Sequence, residues 1–240
     1  MSDALKISNL NLQIRRKNIL NDINFSIPKG AVCAFIGPNG AGKTTTIKSI
    51  MGLYKHKGEI YINDHLVVNQ YDLLEVGYVP EKENFPKIKV KHFLKYLTQL
   101  YGVSKKGFEK QMKFYSSLLQ SENLENRKLN ILSSGQKKKI LIIQALLHNP
   151  NLVIMDEPTE NMDPDARQIF YNKVIKHLLK NNKTIIISTH QLDEIKKLAT
   201  FAIFIKDGSV QYSGPVKSGS DLYKMYNKLN KTKTSPSLKD

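Results

Sequence analysis

Residues 37–45 read Gly37-Pro38-Asn39-Gly40-Ala41-Gly42-Lys43-Thr44-Thr45. An apolar run at 31–36 comes before this stretch and predicts a buried strand, while 46–53 predicts a helix. Strand, glycine-rich loop and helix are the context in which the pattern G-x-x-x-x-G-K-[ST] forms a phosphate-binding loop. A chance glycine turn is the simpler alternative, and the flanking elements argue against it. The sequence therefore predicts a nucleoside triphosphate site on an α/β fold.

Each part of this loop has a physical role in holding phosphate. Gly37, Gly40 and Gly42 lack a Cβ, so the backbone can approach an anion with its N–H groups pointing inward. The following helix adds the partial positive charge of its N-terminus. We expect Lys43 to reach the β- and γ-phosphates and the Thr44 hydroxyl to ligate Mg²⁺.

The composition sets the class of protein. A chain of 240 residues can form one well-cored α/β domain with a small helical insertion. No apolar run approaches the ~20 residues of a membrane span, and no N-terminal signal pattern is present. Cys33 is alone, which excludes a disulfide within the chain. We therefore expect a cytoplasmic protein.

The formal net charge of +16 comes almost entirely from lysine. A basic surface attracts nucleic acid, anionic membrane or acidic partners. Nucleic-acid readers concentrate arginine and aromatic residues in a patch, whereas the lysines here are scattered along the whole chain. We expect no nucleic-acid partner and favour a solvated lysine-rich surface close to an anionic membrane face.

Apolar periodicity and turn residues predict the order of the elements. Strands are predicted at 5–14, 19–27, 59–62, 66–68, 76–79, 152–155, 184–188, 201–205 and 209–212. Helices are predicted at 90–101, 108–119, 134–148, 165–179, 191–198 and 223–229. We expect one domain over 1–215 with a helical subdomain at about 87–135. Residues 216–240 form a basic, solvated C-terminal extension whose last ten residues are predicted to be disordered.

Two later strands end in residues that suit phosphate chemistry. The strand 152–155 leads into Asp156, which can hold Mg²⁺ beside the phosphate loop, and then into Glu157. Glu157 can act as the general base for an attacking water. Two acids after a strand can also simply begin a helix, but the phosphate loop favours catalysis. His190 ends the next strand, and its imidazole can hydrogen-bond the γ-phosphate.

A second candidate anion site opens the helix predicted at 134–148. The residues Leu132-Ser133-Ser134-Gly135-Gln136 place serines and a glycine at its start. They can cap the helix and do nothing more, or they can cradle an anion at its N-terminus. One chain cannot readily wrap this cradle and the phosphate loop around the same nucleotide. That geometry suggests two copies that face each other and complete each other's sites.

The order of these motifs resembles the ATP-binding subunit of an ABC transporter over residues 4–215. Its phosphate loop, Leu-Ser-Ser-Gly-Gln, Asp-Glu-Pro-Thr and Ser-Thr-His follow the family's order, and the second is highly specific to it. The compact insertion and the stretch 76–81 are similar to the subfamily that pairs with separate exporter-type permeases. The resemblance implies a P-loop NTPase fold with a mixed central sheet, an antiparallel β subdomain and a helical subdomain.

The resemblance also implies the cofactors ATP and Mg²⁺ and a set of site residues. Glu157, His190 and Lys43 would be catalytic, and Thr44, Asp156 and Glu81 would hold the metal. ATP would contact Gly37, Pro38, Asn39, Gly40, Ala41, Gly42, Lys43, Thr44, Thr45, Ile14, Ser133, Ser134, Gly135, Gln136 and Asp163. Asp163 belongs to a loop that connects the two ATP sites, and the region after Glu81 would form the groove for a membrane permease.

Four residues depart from the family pattern. Ile14 stands where an aromatic residue usually stacks on adenine, so the grip on the base is expected to be looser. Glu81 stands where the family more often has Gln, which adds negative charge near the γ-phosphate. Ser134 and Asn161 each replace a usual Gly. None of these changes removes a reacting group, so we expect an active ATPase.

The leading hypothesis is an ATPase subunit that powers a bacterial exporter from the cytoplasmic face of the cell membrane. Its partners would be permease subunits and a second ATPase subunit, identical or different. The cargo would be a peptide, antibiotic, lipid or polysaccharide. One alternative is a soluble ABC-type ATPase that acts on ribosomes or DNA, and another is a nucleotide-binding regulatory module without turnover. The single domain and short insertion argue against the first, and the intact Lys43, Asp156, Glu157 and His190 argue against the second.

Overall fold

The computed structural model describes residues 2–82 and 84–231, in which ten strands and eight α-helices lie. The strands are β1 Asp3–Ile14, β2 Lys17–Pro28, β3 Val32–Ile36, β4 Lys57–Ile62, β5 His65–Leu66, β6 Val76–Val79, β7 Leu152–Asp156, β8 Thr184–Thr189, β9 Phe201–Lys206 and β10 Ser209–Pro215. The helices are α1 Lys43–Ile50, α2 Val90–Leu100, α3 Lys105–Leu118, α4 Ser134–Leu146, α5 Pro164–Ile169, α6 Lys176–Lys180, α7 Leu192–Ile195 and α8 Gly219–Lys231.

Two sheets organise the chain. The larger has six strands in the order β10-β9-β3-β8-β7-β6, all neighbours parallel except the antiparallel pair β9 and β10. The smaller sheet is antiparallel, with the order β2-β1-β4-β5. The predicted α/β class, with a mixed central sheet and an antiparallel β subdomain, is therefore confirmed.

The central strand β3 explains how both faces of the larger sheet are covered. Val32, Ala34 and Ile36 point into one apolar cluster together with buried residues of the helices α2 to α6. Cys33 and Phe35 point the other way, into a cluster with α1 and the antiparallel sheet. Successive residues of a strand face opposite sides, so a strand buried on both faces reads as a continuous apolar run.

The helices differ in detail from those predicted. The helix of the phosphate loop begins at Lys43, inside the motif, rather than at residue 46. The helix predicted at 165–179 is interrupted by a π-helical turn, Phe170–Ile175, between α5 and α6. The helix predicted at 191–198 is only the single turn α7, because the chain must turn back to start β9 at Phe201. Between 90 and 131 lie α2, α3 and two short 3₁₀ turns, where we predict the helical subdomain.

The sequence predicts a solvated extension after residue 215, but the structure buries part of it. Val216 and Leu222 are buried in the helix-side cluster, because α8 packs Leu222 against the core with Met225 and Tyr226 partly covered. The predicted disordered tail lies, apart from Lys231, outside the part of the chain that the structure describes. Within residues 2–82 and 84–231, no helix combines the length and apolar character needed to cross a membrane.

The turn between β9 and β10 ties three parts of the molecule together. The Gly208 N–H donates to the Ala41 carbonyl of the phosphate loop at 3.0 Å, and the Asn21 N–H donates to the Gly208 carbonyl at 2.8 Å. Gly208 has φ +74°, and a Cβ there would collide with the backbone oxygen of Ile19. The turn can approach β2 and the phosphate loop this closely only because residue 208 is glycine.

We expect Gly208→Ala to lower the free energy of unfolding by about 3 kcal/mol, because backbone strain and a backbone clash add. The matched control is Gly30→Ala, at φ +77° with no atom within 4 Å of the added Cβ. Gly30→Ala should lower the free energy of unfolding by about 1 kcal/mol, because only backbone strain is added. Urea unfolding curves measure both. Equal losses in the two variants would show that the close approach at Gly208 does not matter.

Candidate functional site

The loops after β3, β6, β7 and β8 meet at one edge of the larger sheet, because these four strands are adjacent and parallel. A cavity of about 420 Å³ opens there. It is lined by Asn39, Gly40, Gly42, Lys43, Thr44, Thr45, Glu81, Lys82, Glu157, Glu160 and His190. The sequence predicts all of these except Lys82 and Glu160.

The phosphate loop holds its lysine in place through its own backbone. Gly42 has φ +110° directly before α1, a conformation that favours glycine. The Lys43 ammonium donates to the carbonyls of Gly37 at 2.8 Å and Pro38 at 3.3 Å. The side chain of Lys43 is only 6% exposed. Burial lowers the pKa of Lys43, and the carboxylates of Glu157 and Asp156 oppose that shift. The carboxylates and the two carbonyls therefore favour the charged form of Lys43, which burial disfavours.

Glu157 sits where a general base is expected. Its Oε1 lies 3.0 Å from His190 Nδ1 and 3.9 Å from Lys43 Nζ. Burial raises the pKa of the Glu157 carboxyl, while the contact with His190 lowers it. The backbone of Glu157 has φ +45°, and its N–H donates to the carbonyl and the hydroxyl of Ser188 at 3.2 and 3.0 Å. Such strain in a non-glycine residue persists where the surroundings hold it.

The predicted metal ligands fit a magnesium ion. Asp156 is fully buried; its Oδ1 accepts a hydrogen bond from the Ser188 hydroxyl, and no donor in the described ranges bonds the buried Oδ2. Thr44 Oγ1 lies 3.5 Å from Glu81 Oε2. No group of three or more His, Cys, Asp or Glu in the part described could hold a metal. Mg²⁺ is usually bound by one or two carboxylates together with substrate phosphates, so the donors present suit it.

The second predicted anion cradle forms a separate cavity of about 400 Å³. Its lining comprises Ser133, Ser134, Gly135, Gln136, Lys139, Asn161, Asp163 and Ala166. Ser133 caps α4 by accepting the Gln136 N–H at 3.2 Å, and Gln136 accepts the Ser133 N–H in return. Asp163 caps α5 by accepting the Ala166 N–H at 2.7 Å. The structure thus places Asp163 with the second cradle and not with the phosphate loop.

Ile14, predicted to lie at the adenine base, lines neither the phosphate-loop cavity nor the cavity of the second cradle. It is half-buried at the end of β1, beside the apolar cluster of the antiparallel sheet. Ala41 is buried behind the loop, and Gly37 and Pro38 present carbonyls to Lys43. That these residues bind ATP stays a prediction.

Sequence reasoning missed a network that supports the loop after Glu157. Glu194 accepts hydrogen bonds from Thr159 at 2.7 Å and Tyr171 at 3.1 Å, and it pairs with Arg167 at 3.1 Å. These contacts fix the segment 157–167 against α7, the turn that follows His190. In the sequence, only the position of Thr159 directly after Glu157-Pro158 suggests a role near the site. The other members of the network lie further along the chain, and no local pattern connects them.

Lys138 is a second residue that the sequence did not single out. It is 4% exposed, and its ammonium donates to the backbone carbonyls of Pro80 at 3.1 Å and Glu81 at 2.8 Å. It stands in a run of three lysines, Lys137 to Lys139, from which no pattern selects the buried one.

A family model described as ABC transporter matches residues 20–160, more than half of the chain. The chain belongs to the ABC transporter family. This ABC chain is 38% identical to an ABC transporter ATP-binding protein of Mycoplasma pneumoniae over 206 residues, 85% of this chain and 63% of that protein. It spans less than two thirds of that relative's length.

Other relatives of the ABC chain carry more specific names. It is 32% identical over 224 residues to a lantibiotic transport ATP-binding protein of Streptococcus pyogenes, covering 93% of this chain and 96% of that protein. It is 32% identical over 199 residues to a Nod factor export ATP-binding protein of Bradyrhizobium diazoefficiens, covering 80% and 64%.

Solved structures agree with the fold. An ATP binding subunit of an ABC transporter superposes with a TM-score of 0.86 at 27% identity, covering 95% of this chain and 99% of that one. A dimeric ATP-binding cassette with ADP and Pi superposes at 0.79 and 24% identity, covering 89% and 99%, which bears on the fold alone. The predicted P-loop fold of the ABC ATPase type is confirmed.

The raised pKa of Glu157 predicts a pH-dependent effect of Glu157→Gln in the ABC protein purified without nucleotide. Because the pKa of Glu157 is higher in the folded than in the unfolded chain, its ionisation lowers stability as the pH rises above about 4.5. Glu157→Gln should therefore raise the melting temperature more at pH 8 than at pH 5. The exposed control Glu75→Gln should show no such difference. A gain that is larger at pH 5 would contradict the sign of the shift.

Proposed function

We propose that this chain is the ATP-hydrolysing subunit of an exporter-type ABC transporter. One observation carries the proposal: Lys43, Glu157 and His190 share a cavity, with Glu157 Oε1 within 4 Å of both the Lys43 ammonium and the His190 imidazole. Phosphate-binding loop, carboxylate base and imidazole are the groups needed to transfer a phosphoryl group to water.

Each residue has a task in that reaction. Lys43 and the loop N–H groups bind the β- and γ-phosphates and neutralise their charge. Glu157 accepts the proton of the attacking water through a carboxylate whose raised pKa makes it a stronger base. His190 orients that carboxylate by its 3.0 Å contact. Thr44, Asp156 and Glu81 would hold Mg²⁺, which offsets phosphate charge when bound.

A dimer would complete the site. The cradle at Ser133 to Gln136 and the phosphate loop line separate cavities of one chain, so one nucleotide does not touch both. In a dimer of facing copies, the cradle of each chain would cap the ATP held by the other. ATP would then close the dimer, and hydrolysis would reopen it. A solved cassette of the same fold is dimeric, which supports a dimer but does not by itself give this arrangement.

A membrane permease would be the partner, and the cytoplasmic face of the membrane the place of action. Seven of the ten exposed large apolar side chains in the described ranges lie between residues 66 and 100. This region surrounds Glu81 and includes the predicted groove for the permease. The relatives named for lantibiotic transport and Nod factor export support a role in transport across the membrane. The proposed cargo is a peptide, antibiotic, lipid or polysaccharide.

Glu157→Gln should reduce ATP turnover by at least about 100-fold, the usual contribution of a general base. ATP binding should persist, and ATP should now hold the variant as a dimer, because the amide keeps the shape of the site without accepting a proton. Phosphate release and light scattering after size exclusion measure the two effects. Glu75→Gln is the control on the surface. Undiminished hydrolysis in Glu157→Gln would remove Glu157 from the chemistry.

Purification of the tagged protein from its own cells in mild detergent should recover a polytopic membrane protein in stoichiometric amount, because the ATPase subunit must dock on its permease. Mass spectrometry identifies the partner and narrows the cargo. Recovery of ribosomes or nucleic acid with no membrane protein would refute the transporter assignment. It would favour a soluble ABC-type ATPase that acts on ribosomes or DNA.

A further inference from the structure

Lys138 is a buried cation that contacts the backbone of Glu81, one of the predicted metal ligands. It lies on the second turn of α4, and its ammonium donates to the carbonyls of Pro80 and Glu81. Burial lowers the pKa of Lys138, whereas four carboxylates oppose the shift: Glu160, Asp156, Glu81 and Glu157. A buried ammonium is costly unless hydrogen bonds and opposite charges offset that cost, and here both do so.

The two hydrogen bonds join parts of the chain that are 58 and 57 residues apart. Pro80 and Glu81 follow β6 directly, where pairing with β7 has ended at Val79. Lys138 therefore fixes a backbone segment that the sheet no longer holds. The side chain of Glu81 projects from that segment toward Thr44, with Oε2 and Oγ1 3.5 Å apart.

No carboxylate lies within 4 Å of the Lys138 ammonium in the ranges that the structure describes. Within that part of the chain, the ammonium contacts only the two carbonyls closely, so Lys138 fixes the position of the backbone at residues 80–81. A neutral residue of the same length would leave both carbonyls without this donor. A purely structural lysine would affect folding when replaced, but not the affinity for a metal.

We propose that Lys138 is a positioning residue for Mg²⁺, because it holds the backbone from which the Glu81 carboxylate reaches the metal side of the phosphate loop. The proposal rests on the roles of Glu81 and Thr44 in the proposed function. The helix α4 also begins at the Ser133 cradle. The helix α4 thereby connects the Ser133 cradle, which would cap the partner's ATP, with the backbone that carries Glu81 in the chain's own site.

Lys138→Met tests the proposal by metal binding without turnover. Mn²⁺, with a nonhydrolysable ATP analogue, is the probe, and free Mn²⁺ is measured by electron paramagnetic resonance. The Mn²⁺ dissociation constant should rise roughly 10-fold, as is usual when a partner behind a metal ligand is lost. The affinity for the analogue in EDTA should stay unchanged. In ATPase assays, the Mg²⁺ concentration for half-maximal rate should rise by the same factor.

Three further variants separate positioning from folding. Lys137→Met changes the neighbouring lysine, which makes no side-chain hydrogen bond or ion pair in the described ranges, and should keep normal Mn²⁺ affinity. Lys138→Arg keeps the donors and should restore most of it. In the double variant with Glu81→Ala, which removes the carboxylate, the two losses should not add, because Lys138 acts through Glu81. If Lys138→Met does not fold, Lys138→Leu takes its place, because leucine also offers no donor to the two carbonyls.

A folded Lys138→Met protein with normal Mn²⁺ affinity would overturn the proposal. Equal loss of analogue binding with and without metal would also overturn it, because that result assigns Lys138 a structural role. Wild-type protein that binds the analogue but no Mn²⁺ would instead refute the metal roles of Thr44 and Glu81 on which the proposal rests. Failure of the proposal and failure of the proposed function are thus distinguishable.

Discussion

The site depends on the parallel pairing of four adjacent strands. β3, β8, β7 and β6 end at one edge, so the phosphate loop, His190, Glu157 and Glu81 converge although they are far apart in sequence. Each strand is buried, which fixes its register. A slip of one residue would move each side chain of the strand into the opposite cluster, where its shape does not fit, and would displace the strand's functional residue from the edge. The packing of the core and the geometry of the site are therefore the same constraint.

Charge balance is the second principle of the site. Lys43 and Lys138 are both buried, and the carboxylates of Asp156, Glu157 and Glu81 favour the charged form of each. Each lysine is anchored by backbone carbonyls rather than by a close ion pair, so its position is set by the fold. The carboxylates of Asp156 and Glu81 are then free to bind a metal ion while both lysines stay in place. This arrangement provides the preorganised electrostatics on which phosphoryl transfer relies.

The sequence predicted the elements whose patterns are local. The loop at 37–45 and the strand before it follow from glycine spacing and an apolar run. The apolar strands that end at Asp156 and before His190 predict that Glu157 and His190 meet at the same edge of the sheet. Contacts between remote segments have no such pattern: periodicity does not reveal that Lys138 is buried while Lys137 is not. The helix α8 was predicted too short because Gly219 and Ser220 are weak helix formers. Burial of Leu222 against the core stabilises that first turn.

The backbone of Glu157 illustrates a conflict between stability and chemistry. At φ +45°, glycine or asparagine would relieve local strain, and a neutral side chain would avoid the cost of burying a carboxylate. A search for stabilising substitutions that scores only the folded chain would therefore replace Glu157 among the first. The protein would become more stable and lose its proposed general base. Laboratory selection for thermostability should hold this position fixed.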